Sequence, residues 1–135
     1  MAETTEIYNN SSSGSISGLR DLLSKDDNVL LAFIFGSLAA NRQRNDSDID
    51  VAVLYENPPS GFEILYEIDK LSKSAGADVH LVILNNASPL LKHQVMKNKI
   101  NLIVKDEKLF GKFRENVMSQ YEEYKYVSGL GRYEL

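Results

Sequence analysis

Four residues in the first half of the chain have types and a spacing suited to phosphate and metal chemistry. They are Gly36 and Ser37 and, after ten intervening residues, Asp48 and Asp50. A glycine ending a strand can take backbone angles closed to other residues, and a serine after it can cap a short helix. Free N–H groups, a hydroxyl and a positive helix end then face one spot, which suits a phosphate. Two aspartates at alternate strand positions project from one face with Cα atoms about 6.6–7 Å apart, within reach of one hard cation such as Mg²⁺. Without that cation, burying two unpaired carboxylates side by side would be costly. A bare Asp-x-Asp is usually a solvated turn or edge-strand feature. The Gly-Ser at the end of the preceding apolar run is what points to a site.

The elements that must hold these residues follow from the pattern around them. Val29 to Phe35 is a continuous apolar run, the signature of a strand buried on both faces. In the stretch after Ser47, alternation puts Asp48, Asp50, Ala52 and Leu54 on one face and Ile49, Val51 and Val53 on the other. The segment between, Arg42 to Ser47, is too polar for a core and is expected to be loop. Its Arg42 and Arg44 could grip a triphosphate or simply solvate the surface.

Upstream, Leu19, Leu22 and Leu23 fall at helical spacing after a possible cap at Ser15 or Ser17. Downstream, Asn57-Pro58-Pro59-Ser60-Gly61 is turn chemistry, and Phe62, Leu65, Ile68 and Leu71 then recur at three-residue intervals as the expected buried stripe of a helix. Asp78 to Leu84 reads as a third strand, with Asp78 and His80 on one face. Ser88 and Pro89 start a helix, Ile100 to Val104 is a short strand, and from Asp106 a last helix is expected to bury Leu109, Phe110, Phe113, Val117, Met118, Tyr121 and Tyr124. The order of helices and strands predicts an α+β domain with one mixed sheet of about four strands and flanking helices.

The pattern Gly36-Ser37, ten residues, Asp48-x-Asp50 resembles the signature of the nucleotidyltransferase superfamily that includes DNA polymerase beta. With the chain length and the stretch Asp78 to Pro89, it is most similar to the minimal nucleotidyltransferases, particularly MntA-like antitoxins paired with HEPN-domain toxins. The resemblance covers about residues 17–126. It implies the polymerase beta-like fold and a Mg²⁺-dependent transfer of a nucleoside monophosphate, AMP from ATP or the equivalent from another triphosphate, to a hydroxyl, a tyrosine of the HEPN toxin. Asp48 and Asp50 would hold the metal, Gly36 and Ser37 the β- and γ-phosphates.

The family takes a third carboxylate from the strand at Asp78 to Leu84, and register fixed on Leu84-Asn85 places His80 at that position. Either Asp78, two residues earlier, takes the part, or His80 occupies the site and tunes or abolishes catalysis. If it abolishes it, the alternative is a degenerate nucleotidyltransferase-fold protein that neutralises its partner by binding alone. Asn41 stands where the family commonly has glycine after the Gly-Ser turn, and asparagine tolerates left-handed backbone well.

Composition narrows the remaining classes. The chain has 135 residues, 43% hydrophobic and 25% charged, enough for one domain with a real core. Residues 1–14 are expected to be a flexible leader, 15–126 the nucleotidyltransferase domain and 127–135 a tail. There is no cysteine, which excludes disulfides, thiolate metal sites and a cysteine nucleophile. No signal peptide or membrane-length apolar run is present, and a cytoplasmic setting is expected.

Net charge is −4, unevenly spread: residues 1–70 hold 5 basic and 12 acidic side chains, residues 71–135 hold 10 and 7. Lys92 to Arg114 is a basic stretch, read first as a solvated face and second as a surface for nucleotide phosphates, RNA or an acidic partner. Direct nucleic-acid binding is not expected. No Walker loop, dinucleotide-binding glycine motif or Gly-x-Ser-x-Gly elbow is present.

Overall fold

Every residue of Val29–Phe35 is apolar, and the segment forms an inner strand, β1, flanked on both sides. The computed structural model describes residues 13–36 and 48–128, with side chains from Ile16 onward. Along the chain the elements are α1 (Ser13–Ser24), β1, β2 (Ile49–Tyr55), α2 (Phe62–Ala75), β3 (Val79–Ile83), α3 (Pro89–Lys97), β4 (Ile100–Val104) and α4 (Glu107–Ser128). The sheet order is β3-β2-β1-β4, with β1 antiparallel to both β2 and β4 and β2 parallel to β3. The parallel pair is joined by α2, as a crossover requires. The mixed four-strand α+β architecture expected from the order of elements is the one present.

The sheet is buried on both faces, which is why β1 carries no alternation. One face packs Ala32, Ile34, Val51 and Val53 against Ile16, Leu19 and Leu23 of α1 and Leu71 and Ala75 of α2. The other packs Leu31, Phe33, Ala52 and Val82 against Val95 of α3 and Phe110 of α4. Asp50 shares that second face with Ala52, as strand alternation demanded.

Local chemistry sets the ends of the helices. Ser88 Oγ accepts from the Leu91 N–H at 3.1 Å with Pro89 at the first helical position, the arrangement read from the sequence. Asp106 Oδ1 accepts from the Lys108 N–H at 2.9 Å and caps α4. α1 begins at Ser13, slightly before the expected start, and α4 runs through Ser128, past the expected end.

Two expected stripes are corrected. In α2 the buried residues are Glu67, Leu71 and Ala75, while Phe62 and Leu65 are 88% and 62% exposed. Each three-residue step falls about 60° short of a full turn, so the three steps from Phe62 to Leu71 walk to the opposite side of the helix. In α4 Phe110 and Val117 are buried but Met118 is exposed, since it lies about 100° round the helix from Val117. Among the described residues no helix is long and apolar enough to cross a membrane.

α1 and α2 touch through backbone. Ser74 Oγ donates to the Gly18 carbonyl at 2.9 Å, and a Cβ on Gly18 would overlap the Ser74 carbonyl oxygen. Gly18→Ala should therefore push the helices apart and destabilise the fold by about 1–3 kcal/mol. Urea unfolding checks this: the midpoint should fall with the slope unchanged.

Candidate active site

The strand β1 ends at Phe35, paired with Asp50 of β2, so the next residue is delivered against the Asp50 side chain. That residue is Gly36, with φ of 75°, a left-handed backbone that side chains disfavour. Space decides the position as firmly as angle does. A Cβ on Gly36 would coincide with Asp50 Oδ2 and lie 3.0 Å from Asp50 Cγ. The Asp50 carboxylate thus sits where a side chain would otherwise be, with 23% of it exposed.

The parallel register pairs Asp50 with His80 of β3, on the same face. His80 Nδ1 lies 2.9 Å from Asp50 Oδ1. A carboxylate can only accept, so Nδ1 carries the proton and donates, and in the neutral ring Nε2 holds the free lone pair. The imidazole is 64% exposed, which leaves Nε2 open to an incoming group. An oriented base beside a carboxylate at the mouth of a sheet can take a proton from a hydroxyl.

Asp48 lies two residues before Asp50 and is exposed, as is Asp78, whose backbone carbonyl accepts from the Ile49 N–H at 2.9 Å. Asp50 and His80 are therefore brought into contact, with Asp48 and Asp78 at the strand entries beside them. Ser37, Asn41, Arg42 and Arg44 lie outside the described residues. Among the described residues no three His, Cys, Asp or Glu side chains converge as a metal cluster. Two aspartates suit a divalent cation that completes its shell with water and substrate oxygens, and among the described residues Asp50 Oδ2 has no hydrogen-bond partner while Oδ1 takes His80.

One further polar side chain reaches this end of the sheet. Lys99 directly precedes β4, half-buried, its Nζ donating to Asn101 Oδ1 at 2.6 Å and lying 5.3 Å and 5.0 Å from the ring centroids of Phe33 and Phe110. Burial, then the neighbouring Arg114, lowers its pKa below the ordinary lysine value. In the sequence it was one of seven basic residues of a stretch read as solvated. Its signal was its place, immediately before an apolar strand.

Gly36→Ala should displace the Asp50 carboxylate and cost about a hundredfold or more in any activity that depends on it, since misplacement on the ångström scale is enough. Calorimetric titration of ATP with and without Mg²⁺ checks the same geometry without turnover. The metal dependence should vanish both in Gly36→Ala and in the double variant Asp48→Asn with Asp50→Asn.

Comparison with known proteins agrees with this fold. Residues 18–108 match the family described as Polymerase beta, Nucleotidyltransferase. A candidate protein adenylyltransferase of Methanocaldococcus jannaschii is 31% identical over 75 residues, covering 56% of this chain and 81% of that protein. The protein adenylyltransferase MntA of Shewanella oneidensis is 36% identical over 78 residues, 58% of this chain and 54% of MntA, so the match spans about half of that relative. Among solved structures, a toxin–antitoxin complex with AMP-PNP contains a chain similar at a TM-score of 0.74 and 26% identity, covering 90% of this chain and 94% of that one. A mutant MntA–HepT toxin–antitoxin complex gives a TM-score of 0.70 at 28% identity, covering 85% and 89%. With the sheet, the glycine against the strand aspartate and the family match over most of its length, this chain belongs to the polymerase beta nucleotidyltransferase family.

Proposed function

We propose that the protein is a Mg²⁺-dependent adenylyltransferase that moves AMP from ATP onto a tyrosine hydroxyl of a HEPN-type toxin and so acts as its antitoxin. The observation that carries this reading is the contact set Gly36, Asp50 and His80 at one end of the sheet. The similarity to MntA supports the choice of a protein acceptor, and the likeness to toxin–antitoxin complexes supports the choice of a toxin as that protein. Mg²⁺ on Asp48 and Asp50 would neutralise charge on the phosphate oxygens. Gly36 and Ser37 cradle the β- and γ-phosphates, and Arg42 and Arg44 add positive charge from the connecting segment.

In the transfer, the acceptor oxygen bonds to the α-phosphorus, the bond from that phosphorus to the β-bridging oxygen breaks, and pyrophosphate leaves. The acceptor proton goes to His80 Nε2, the nitrogen turned away from Asp50. His80 thus does the proton work of the missing third carboxylate without its negative charge. Asp78 is exposed, two residues before His80 and level with Asp48 rather than Asp50, and stands aside from the proton transfer.

A second reading rests on the same histidine. With an imidazole bonded to Asp50 where a carboxylate is expected, the protein would neutralise its partner by binding alone.

Intact-mass measurement of the neighbouring toxin, after incubation with this protein, Mg²⁺ and each nucleoside triphosphate in turn, separates the two. Transfer predicts one or more added nucleotides with ATP. His80→Ala should slow it about a hundredfold or more, His80→Asp should raise the rate, and Asp78→Asn should change little. Loss of transfer in Asp78→Asn with His80→Ala intact would make Asp78 the base. No transfer by wild type or His80→Asp would leave the binding protein.

A further inference from the structure

The register of the sheet aligns four side chains in a row across one end of it. His80 pairs with Asp50, Asp50 with Phe35, and the pairs Ile34 with Ile100 and Phe33 with Asn101 put Lys99 level with Phe35 on the far side. Asp50 and Lys99 are two strand spacings apart, about 10 Å.

Lys99 does not stand alone there. Arg114 of α4 places its Cζ 5.0 Å from the Phe110 ring centroid, and the Lys99 ammonium lies at the same distance from that ring. Lys25, Lys70 and Lys73 each have a carboxylate within about 3 Å, whereas neither Lys99 nor Arg114 has one within ion-pair reach among the described residues. Two cations each 5.0 Å from the centroid of one aromatic ring, one of them half-buried, repel each other and lose hydration. An anion arriving within reach of both would relieve both costs.

We propose that Lys99 and Arg114 form a subsite for the polyphosphate end of the nucleotide, the part that departs as pyrophosphate. This rests on the nucleotidyl-transfer reading of the same site. Phosphoryl transfer sets the attacking and leaving oxygens roughly in line about the phosphorus. Along the row, the base His80 stands on the β3 side of Asp50, and Lys99 stands on the opposite side, beyond Gly36. The order base, metal-holding carboxylate, glycine turn, cation pair matches the order acceptor, α-phosphorus, β-phosphate, γ-phosphate. Lys99 reaches the anion by leaving Asn101, a neutral partner that holds the ammonium in place until then.

The test is calorimetric titration of the full chain with Mg²⁺ and, separately, ATP, AMP and pyrophosphate. Lys99→Met keeps the stem over Phe33 and Phe110 and removes the charge; Arg114→Gln is a second variant on an exposed position. Each should weaken pyrophosphate and ATP about tenfold and leave AMP unchanged, the loss expected for one charge-assisted contact. Wild-type pyrophosphate affinity in both variants would overturn the subsite, and so would equal weakening of AMP and pyrophosphate, which would mark a diffuse field. If the variants keep pyrophosphate affinity but lose the toxin, the pair is a contact for an acidic protein surface and the proposal fails. Wild type that binds ATP and transfers AMP while the variants match it sinks the subsite alone. Wild type that binds no ATP sinks the transfer reading with it.

Discussion

The close approach of the Asp50 carboxylate to the Cα of Gly36 is the constraint on which the site depends. It exists only because β1 and β2 pair in one register, with Phe35 opposite Asp50, and because the residue after Phe35 has no side chain. A slip of one residue would turn Asp50 to the face covered by α1 and α2, among apolar side chains such as Leu19 and Leu71. The same register, carried across to β3, sets His80 beside Asp50.

The opposite end of the sheet is built to prevent that slip. The Asn85 side chain brackets Tyr55 at the end of β2, accepting from its N–H at 2.9 Å and donating to its carbonyl at 2.7 Å. The Tyr55 hydroxyl bonds Glu67 of α2 at 2.9 Å, and Glu67 takes a second partner in Lys70 at 3.1 Å. Burial, then Glu67, pushes the Tyr55 pKa far above the ordinary tyrosine value, so the hydroxyl stays a donor. β2 is therefore pinned by side chains at its exit while its entrance carries the exposed carboxylate chemistry.

The strands and the faces they present were legible because a period of two in β2 and β3, and its absence in β1, are both strong signals of burial. Alternation set Asp48 with Asp50 on one face of β2 and Asp78 with His80 on one face of the strand that became β3, the family resemblance brought His80 to the site, and the mixed sheet followed from the order of elements. The contact between Asp50 and His80 could not be read, since nothing in the sequence states which strands are neighbours or in what register. The buried side of α2 was misread because a run of apolar residues three apart drifts around a helix with 3.6 residues per turn. Lys99 was hidden among other lysines, because only the pairing of β4 with β1 shows which lysine of that stretch lies level with the site.

The position of β1 between β2 and β4 also orders events during synthesis. Chains fold largely from the N-terminus as they emerge, and β1, β2 and β3 can pair with α1 and α2 covering one face before the rest is made. The opposite face, with Leu31 and Phe33, stays open until Val95 and Phe110 arrive with the last third of the chain. β4 must then close onto β1 across more than sixty residues of intervening chain, a late and entropically costly step. Since that step brings Lys99 to the row, the nascent protein holds Asp50 and His80 in register before the far end of the row exists. On a ribosome, the Asp50–His80 half of the row would form before Lys99 joins it.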